Sequence, residues 1–177
     1  MADSVSFESR DRGKAAIERE VKASRRLVAL VGIPGNAQPP SSASKGSSIN
    51  MASLAFILEK GSPVNRLPPR PFMLQTRQRA STGKFPALMA RLYRGVVTGR
   101  MKAAEAIKKL GAVYEGEMKA IFTRGVFVPN SAITIDGGWM RNRVSGKPFK
   151  VKGKKSSRPL IDTSRLRQSI VHKVVKV

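Results

Sequence analysis

Over residues 9–26, apolar or small residues at Ala16, Ile17, Val21 and Ala23 stand among charged ones, a spacing that predicts a helix with a narrow apolar face. Residues 27–33 are rich in Val and Leu and close at Gly32 and Pro34, which predicts a short strand. Over 49–60 the pattern is apolar nearly all round, with Ile49, Met51, Ala52, Leu54, Ala55, Phe56, Ile57 and Leu58. Ser47 or Ser48 would cap this helix, and Gly61 with Pro63 would end it. Such a helix needs cover on several sides. Either it forms the core or a neighbouring subunit completes its burial, with Phe56 and Leu58 as contacts. Pro68, Pro69 and Pro71 then hold the backbone extended around Arg70, and Phe72 and Met73 follow as apolar anchors.

Two more helices are predicted. The first, 85–97, places Leu88, Met89, Leu92, Tyr93 and Val96 on one face. In the second, 100–122, Ala104, Ile107, Gly111, Tyr114, Met118 and Ile121 recur at spacings of three and four. Glu105 with Lys109 and Glu115 with Lys119 are i,i+4 pairs in the favourable order, each worth about 0.3 kcal/mol. After Gly125 the texture turns to β-branched residues and turn formers, predicting strands at 126–128 and 132–135. A short helical turn capped by Asp162 or Thr163 and a final strand, 170–177, complete the chain. Together these elements predict an α+β fold: a small, mostly antiparallel sheet packed with three to four helices, long flexible loops and an N-terminal helix. Residues 1–26 would form a helical arm and 27–177 a single domain. That domain would carry a mobile Pro/Gly/Ser-rich loop at 34–48 and a basic loop at 137–158.

Charge sharpens this picture. The chain has 34 Lys and Arg against 11 Asp and Glu, a formal charge of +23 that favours polyanions or acidic protein surfaces as neighbours. From Gly137 to Ile161 the bases Arg141, Arg143, Lys147, Lys150, Lys152, Lys154, Lys155 and Arg158 meet no acid. A run like this is expected either to stay solvated and extended or to lie against DNA phosphate or an acidic partner. Only Trp139 and Phe149 interleave with it, which gives little support to base stacking. No long apolar run predicts a membrane span. The first residues, with Asp3, Glu8 and Asp11, lack the order of a secretory signal, so a protein used inside the cell is expected.

Catalytic chemistry finds few candidates. Without cysteine there are no disulfides, thiolate metal sites or Cys nucleophiles, and the single histidine, His172, sits in an alternating run that suits an ordinary strand residue. Neither Gly83-Lys84-Phe85 nor Gly146-Lys147-Pro148 has the spacing of a phosphate-binding loop. Asp162-Thr163-Ser164 occurs once and lacks the glycine of an aspartic-protease motif. Glu59, Glu115 and Asp136 are too scattered to predict a carboxylate pair or a metal site. A non-enzymatic protein without cofactors is expected.

Four features in order carry a resemblance. They are Val31-Gly32-Ile33 in a short strand; a helix ending Leu58-Glu59-Lys60-Gly61-Ser62; Leu67-Pro68-Pro69-Arg70-Pro71-Phe72-Met73; and Pro159-Leu160-Ile161-Asp162-Thr163-Ser164-Arg165-Leu166-Arg167-Gln168-Ser169-Ile170. In this order they resemble the head-tail connector proteins of long-tailed bacteriophages, the neck, tail-completion or virion morphogenesis family. Ser164 stands where that family has glycine, and Lys60 where it has an aromatic residue. The resemblance implies a structural subunit of a ring at the head-tail junction of the virion, assembled in the host bacterial cytoplasm. A hexamer is expected ahead of a dodecamer. Its implied neighbours are head-closure or adaptor proteins, tail-terminator or tail-tube proteins, and double-stranded DNA in the lumen, with no membrane. Arg70, Pro71, Phe72 and Met73 would then anchor contacts between subunits or rings. The competing expectation places Phe72 in the chain's own core with Arg70 exposed. On charge alone, the alternative function is a basic nucleic-acid-binding protein of ribosomal or chromatin type with no virion role.

Overall fold

The computed structural model describes residues 13–37, 50–63, 66–142, 145–160 and 164–177. Among them the chain is α+β, with seven helices and four strands in two antiparallel two-stranded sheets. In order these are α1 (Lys14–Ser24), β1 (Leu27–Gly32), α2 (Met51–Lys60), α3 (Phe72–Thr82), α4 (Phe85–Val97), α5 (Ala103–Arg124) and α6 (Ala132–Asp136). They are followed by β2 (Gly137–Arg141), β3 (Pro148–Lys152), α7 (Ser164–Gln168) and β4 (Val171–Lys176). β1 pairs with β4, and β2 with β3. Two compact units emerge. One is drawn from Met1–Leu30, Ser81–Val113 and His172–Val177, the other from Val31–Ala80 and Tyr114–Val171.

In the first unit α1 packs against α4, so the chain does not divide at residue 26 into an arm and a domain. Ala23 and Leu27 lie against a small core of Leu92, Val96, Ala103 and Ala106. Glu20 also reaches from α1 to accept a hydrogen bond from the Ala103 amide at 2.8 Å, capping the start of α5. Gly111 is buried because α5 and the β1–β4 sheet approach closely there. A methyl group at this position would lie 3.1 Å from the His172 ring and 3.2 Å from Ala29. His172 is thus a half-buried strand residue facing a helix.

The second unit holds the larger core, made by Met51 and Ala55 of α2, Phe72 of α3, Met118, Ile121 and Phe122 of α5, Leu166 of α7, and Ile170. Large apolar side chains buried like these stabilise by about 1.5–3 kcal/mol each. Asn50 caps α2, its Oδ1 accepting from the Ser53 amide at 2.7 Å; the expected caps, Ser47 and Ser48, lie outside the described residues. The 34–48 loop is described only as far as Ala37.

Four local expectations are corrected. A helix, α3, follows the extended proline segment where no helix was expected: its buried stripe is Phe72, Thr76 and Ala80, too polar and too small to read as apolar periodicity. Residues 126–128 form no strand, since the Gln75 side-chain amide satisfies both backbone groups of Val126 in place of a partner strand. Residues 132–135 fold as α6, with Ile135 N–H donating to Ser131 at 3.0 Å and Gly137 in the left-handed region at its end. The basic stretch 137–158 is built on a β-hairpin, because Phe149, Lys150, Val151 and Lys152 alternate at a strand's period and separate the charges onto one face.

Candidate functional site

The proline segment folds back along the end of α2. Ser62 and Leu67 exchange two backbone hydrogen bonds at 2.9 Å, and the Arg70 amide donates to Leu58 O at 2.8 Å. Gly61 makes this return fit: its φ is +75°, and a methyl group there would lie 2.7 Å from Leu67 O. Phe72 therefore enters the core as α3 begins. It is fully buried, its ring centroid 4.9 Å from that of Phe122. An inter-subunit anchor is thereby corrected to an intrachain one, and a ring already enclosed by its own chain cannot insert into a neighbour.

Arg70 also departs from both expectations, since it is only 8% exposed. Its Nη2 donates to Asn130 Oδ1 at 2.9 Å, and burial lowers its pKa below the usual guanidinium value. Asn130 in turn donates through Nδ2 to the carbonyls of Ser156 and Arg158, both at 3.1 Å. The guanidinium thus braces the chain that leaves the basic hairpin. Pro71, Met73 and Leu58 are half-buried, with Met73 and Leu58 packed on the same core. Of the contact set only Phe56 is open to a partner, at 65% exposure.

The C-terminal signature joins this core from the other end of the sequence. Leu166 and Ile170 are buried in the same cluster as Phe72, and Pro159 is buried as well. The cap assigned to Asp162 or Thr163 lies outside the described residues.

Of the basic set, Arg141, Lys150 and Lys152 are exposed on the hairpin strands and Lys147 just before β3, while Arg143 lies outside the described residues. Lys154 and Lys155 follow β3, their amides donating at 2.9 Å to the carbonyls of Thr134 and Ile135 in α6. Arg158 is exposed and follows Ser157, whose carbonyl accepts from the Asn130 amide at 2.9 Å. Sequence reasoning missed the roles of Asn130, read as a turn former, and of Glu59, read as a scattered carboxylate and as part of the Leu58-Glu59-Lys60-Gly61-Ser62 feature. Glu59 accepts from the amides of Met73 (2.9 Å) and Leu74 (3.1 Å), so the last turn of α2 caps α3. The Glu-x-Gly pattern in the sequence was the available signal: a capping acid beside a tight turn.

Comparison with protein-family models, curated proteins and solved structures finds no match. Among the described residues no helix is long and apolar enough to cross a membrane, and no three His, Asp or Glu residues gather as a metal site. The arrangement presents surfaces: exposed apolar side chains at Phe56, Leu74, Val126 and Val128 in the second unit, and Val28 and Leu30 along β1 in the first.

Proposed function

We propose that this protein is a structural subunit of a phage head-tail connector, assembling with copies of itself into a ring at the neck through which DNA passes. One observation carries the proposal. The two signature segments, about ninety residues apart in sequence, meet in a single core, where Phe72 from one shares a cluster with Leu166 and Ile170 from the other. Their order along the chain thus has a physical reason, as joint determinants of one fold. The apolar side chains left exposed, Phe56 above all, supply what a heterologous ring contact buries. The excess positive charge suits a neighbour made of phosphate or acidic protein.

Native mass spectrometry and electron microscopy of the purified protein test this directly. Rings, hexameric ahead of dodecameric, are expected, and Phe56→Asp is expected to dissociate them while leaving the subunit folded. A strictly monomeric protein that is also absent from purified virions overturns the proposal.

A further inference from the structure

The β2–β3 hairpin sorts its side chains by register. Trp139 stands directly opposite Lys150, Gly137 opposite Lys152 and Arg141 opposite Pro148, and these pairs share one face. The pairs Gly138 with Val151 and Met140 with Phe149 share the other face, whose Gly138 end lies against Ile133 of α6. One side of the ribbon is therefore an indole set among Arg141, Lys150 and Lys152. Successive residues on that face are about 6.8 Å apart along each strand.

Trp139 is 70% exposed, the most open aromatic side chain among the described residues. Arg141, Lys150 and Lys152 pair with no carboxylate among the described residues, and the sequence has no acid from Gly137 to Ile161. A row of cations alone would suit any polyanion. A flat ring held open at its centre narrows the choice, because an acidic peptide or the backbone of a duplex would engage the charges and leave the indole in water.

We infer that this face binds single-stranded nucleic acid, with a base stacked on Trp139 and adjoining phosphates neutralised by Arg141, Lys150 and Lys152. The site goes beyond the connector function and does not rest on it, since ring contacts use apolar side chains elsewhere. No base edge is read by this arrangement, so binding is independent of sequence apart from stacking strength.

Trp139 is the chain's only tryptophan, so its emission reports on this face alone. Titrating the full-length protein with oligothymidylate is expected to quench that emission saturably, and log affinity should fall with log salt at a slope of about −2 for three neutralised phosphates. By anisotropy of a labelled oligonucleotide, Trp139→Ala should weaken binding about tenfold. Arg141→Glu with Lys150→Glu should abolish it. Duplex DNA and polyglutamate are expected to bind without comparable quenching. Any of three results overturns the inference: no quenching by oligothymidylate, unchanged affinity in Trp139→Ala, or equal quenching by polyglutamate or duplex. Native mass spectrometry of Trp139→Ala reads ring assembly separately, so failure here and failure of the connector proposal are told apart.

Discussion

Arg70 is a buried cation whose side-chain acceptor among the described residues is an amide, Asn130 Oδ1, and whose Nε finds no partner. Removing a buried acceptor is more damaging than removing the charge that needs it. Asn130→Ala is therefore expected to lower stability by about 1–3 kcal/mol, whereas Arg70→Met, close in volume and without charge, should cost under about 1.5 kcal/mol. Urea denaturation of the two variants checks the order, and a larger loss in Arg70→Met would reverse the argument. Tyr114 of α5 offers a pH test. Burial raises its pKa, with Arg77 opposing the shift. The folded chain then holds the phenolic proton more tightly than the unfolded one, so the contribution is complete below the ordinary tyrosine value of about 10 and is lost as pH rises from there through the raised folded-state value. In a Tyr93→Phe variant Tyr114 is the sole tyrosine, and its ultraviolet titration midpoint should fall above that of a tyrosine peptide.

At the scale of elements, α3 depends on a carboxylate from outside itself. Glu59→Ala frees the Met73 and Leu74 amides and is expected to cost about 0.5–2 kcal/mol, while Glu59→Gln should retain part of the cap; thermal melts followed by circular dichroism distinguish them. What the sequence makes legible follows the same line between local and remote causes. The helix at 85–97 reads correctly, that at 100–122 is found as Ala103–Arg124, and the strands at 27–33 and 170–177 as Leu27–Gly32 and Val171–Lys176, because their apolar patterning is strong and the first three elements stop at glycine or proline. α3 does not, because its buried stripe includes Thr76, whose hydroxyl is satisfied by Phe72 O at 2.7 Å. α6 misleads for a related reason: Ile133, Thr134 and Ile135 favour a strand intrinsically, and the carbonyls of Thr134 and Ile135 are taken up by the amides of Lys154 and Lys155 from after β3. The candidate site was half legible. Its bases were visible as a run, but the register that gathers them around Trp139 belongs to the hairpin.

For the whole molecule, the balance of 34 bases to 11 acids sets the response to salt. Several acids are already committed: Glu20 and Glu59 cap helices, and Glu105 and Glu115 pair with Lys109 and Lys119 within α5. The remaining positive charges repel one another, and screening shortens from about 30 Å to about 8 Å between 0.01 and 0.15 M salt. The melting temperature of the protein is therefore expected to rise over that range, and a fall would show that attractive pairs dominate. The root of the hairpin adds a last consequence. Asn130 clasps residues 156–158 while α6 takes up the amides of Lys154 and Lys155, so the ribbon leaves the protein between two fixed points. A protease must draw an extended, unpaired stretch of backbone into its active site. A segment so rich in tryptic bonds should thus resist trypsin at Arg141, Lys150 and Lys152 until the second unit unfolds, and cleavage there can serve as a clock for that event.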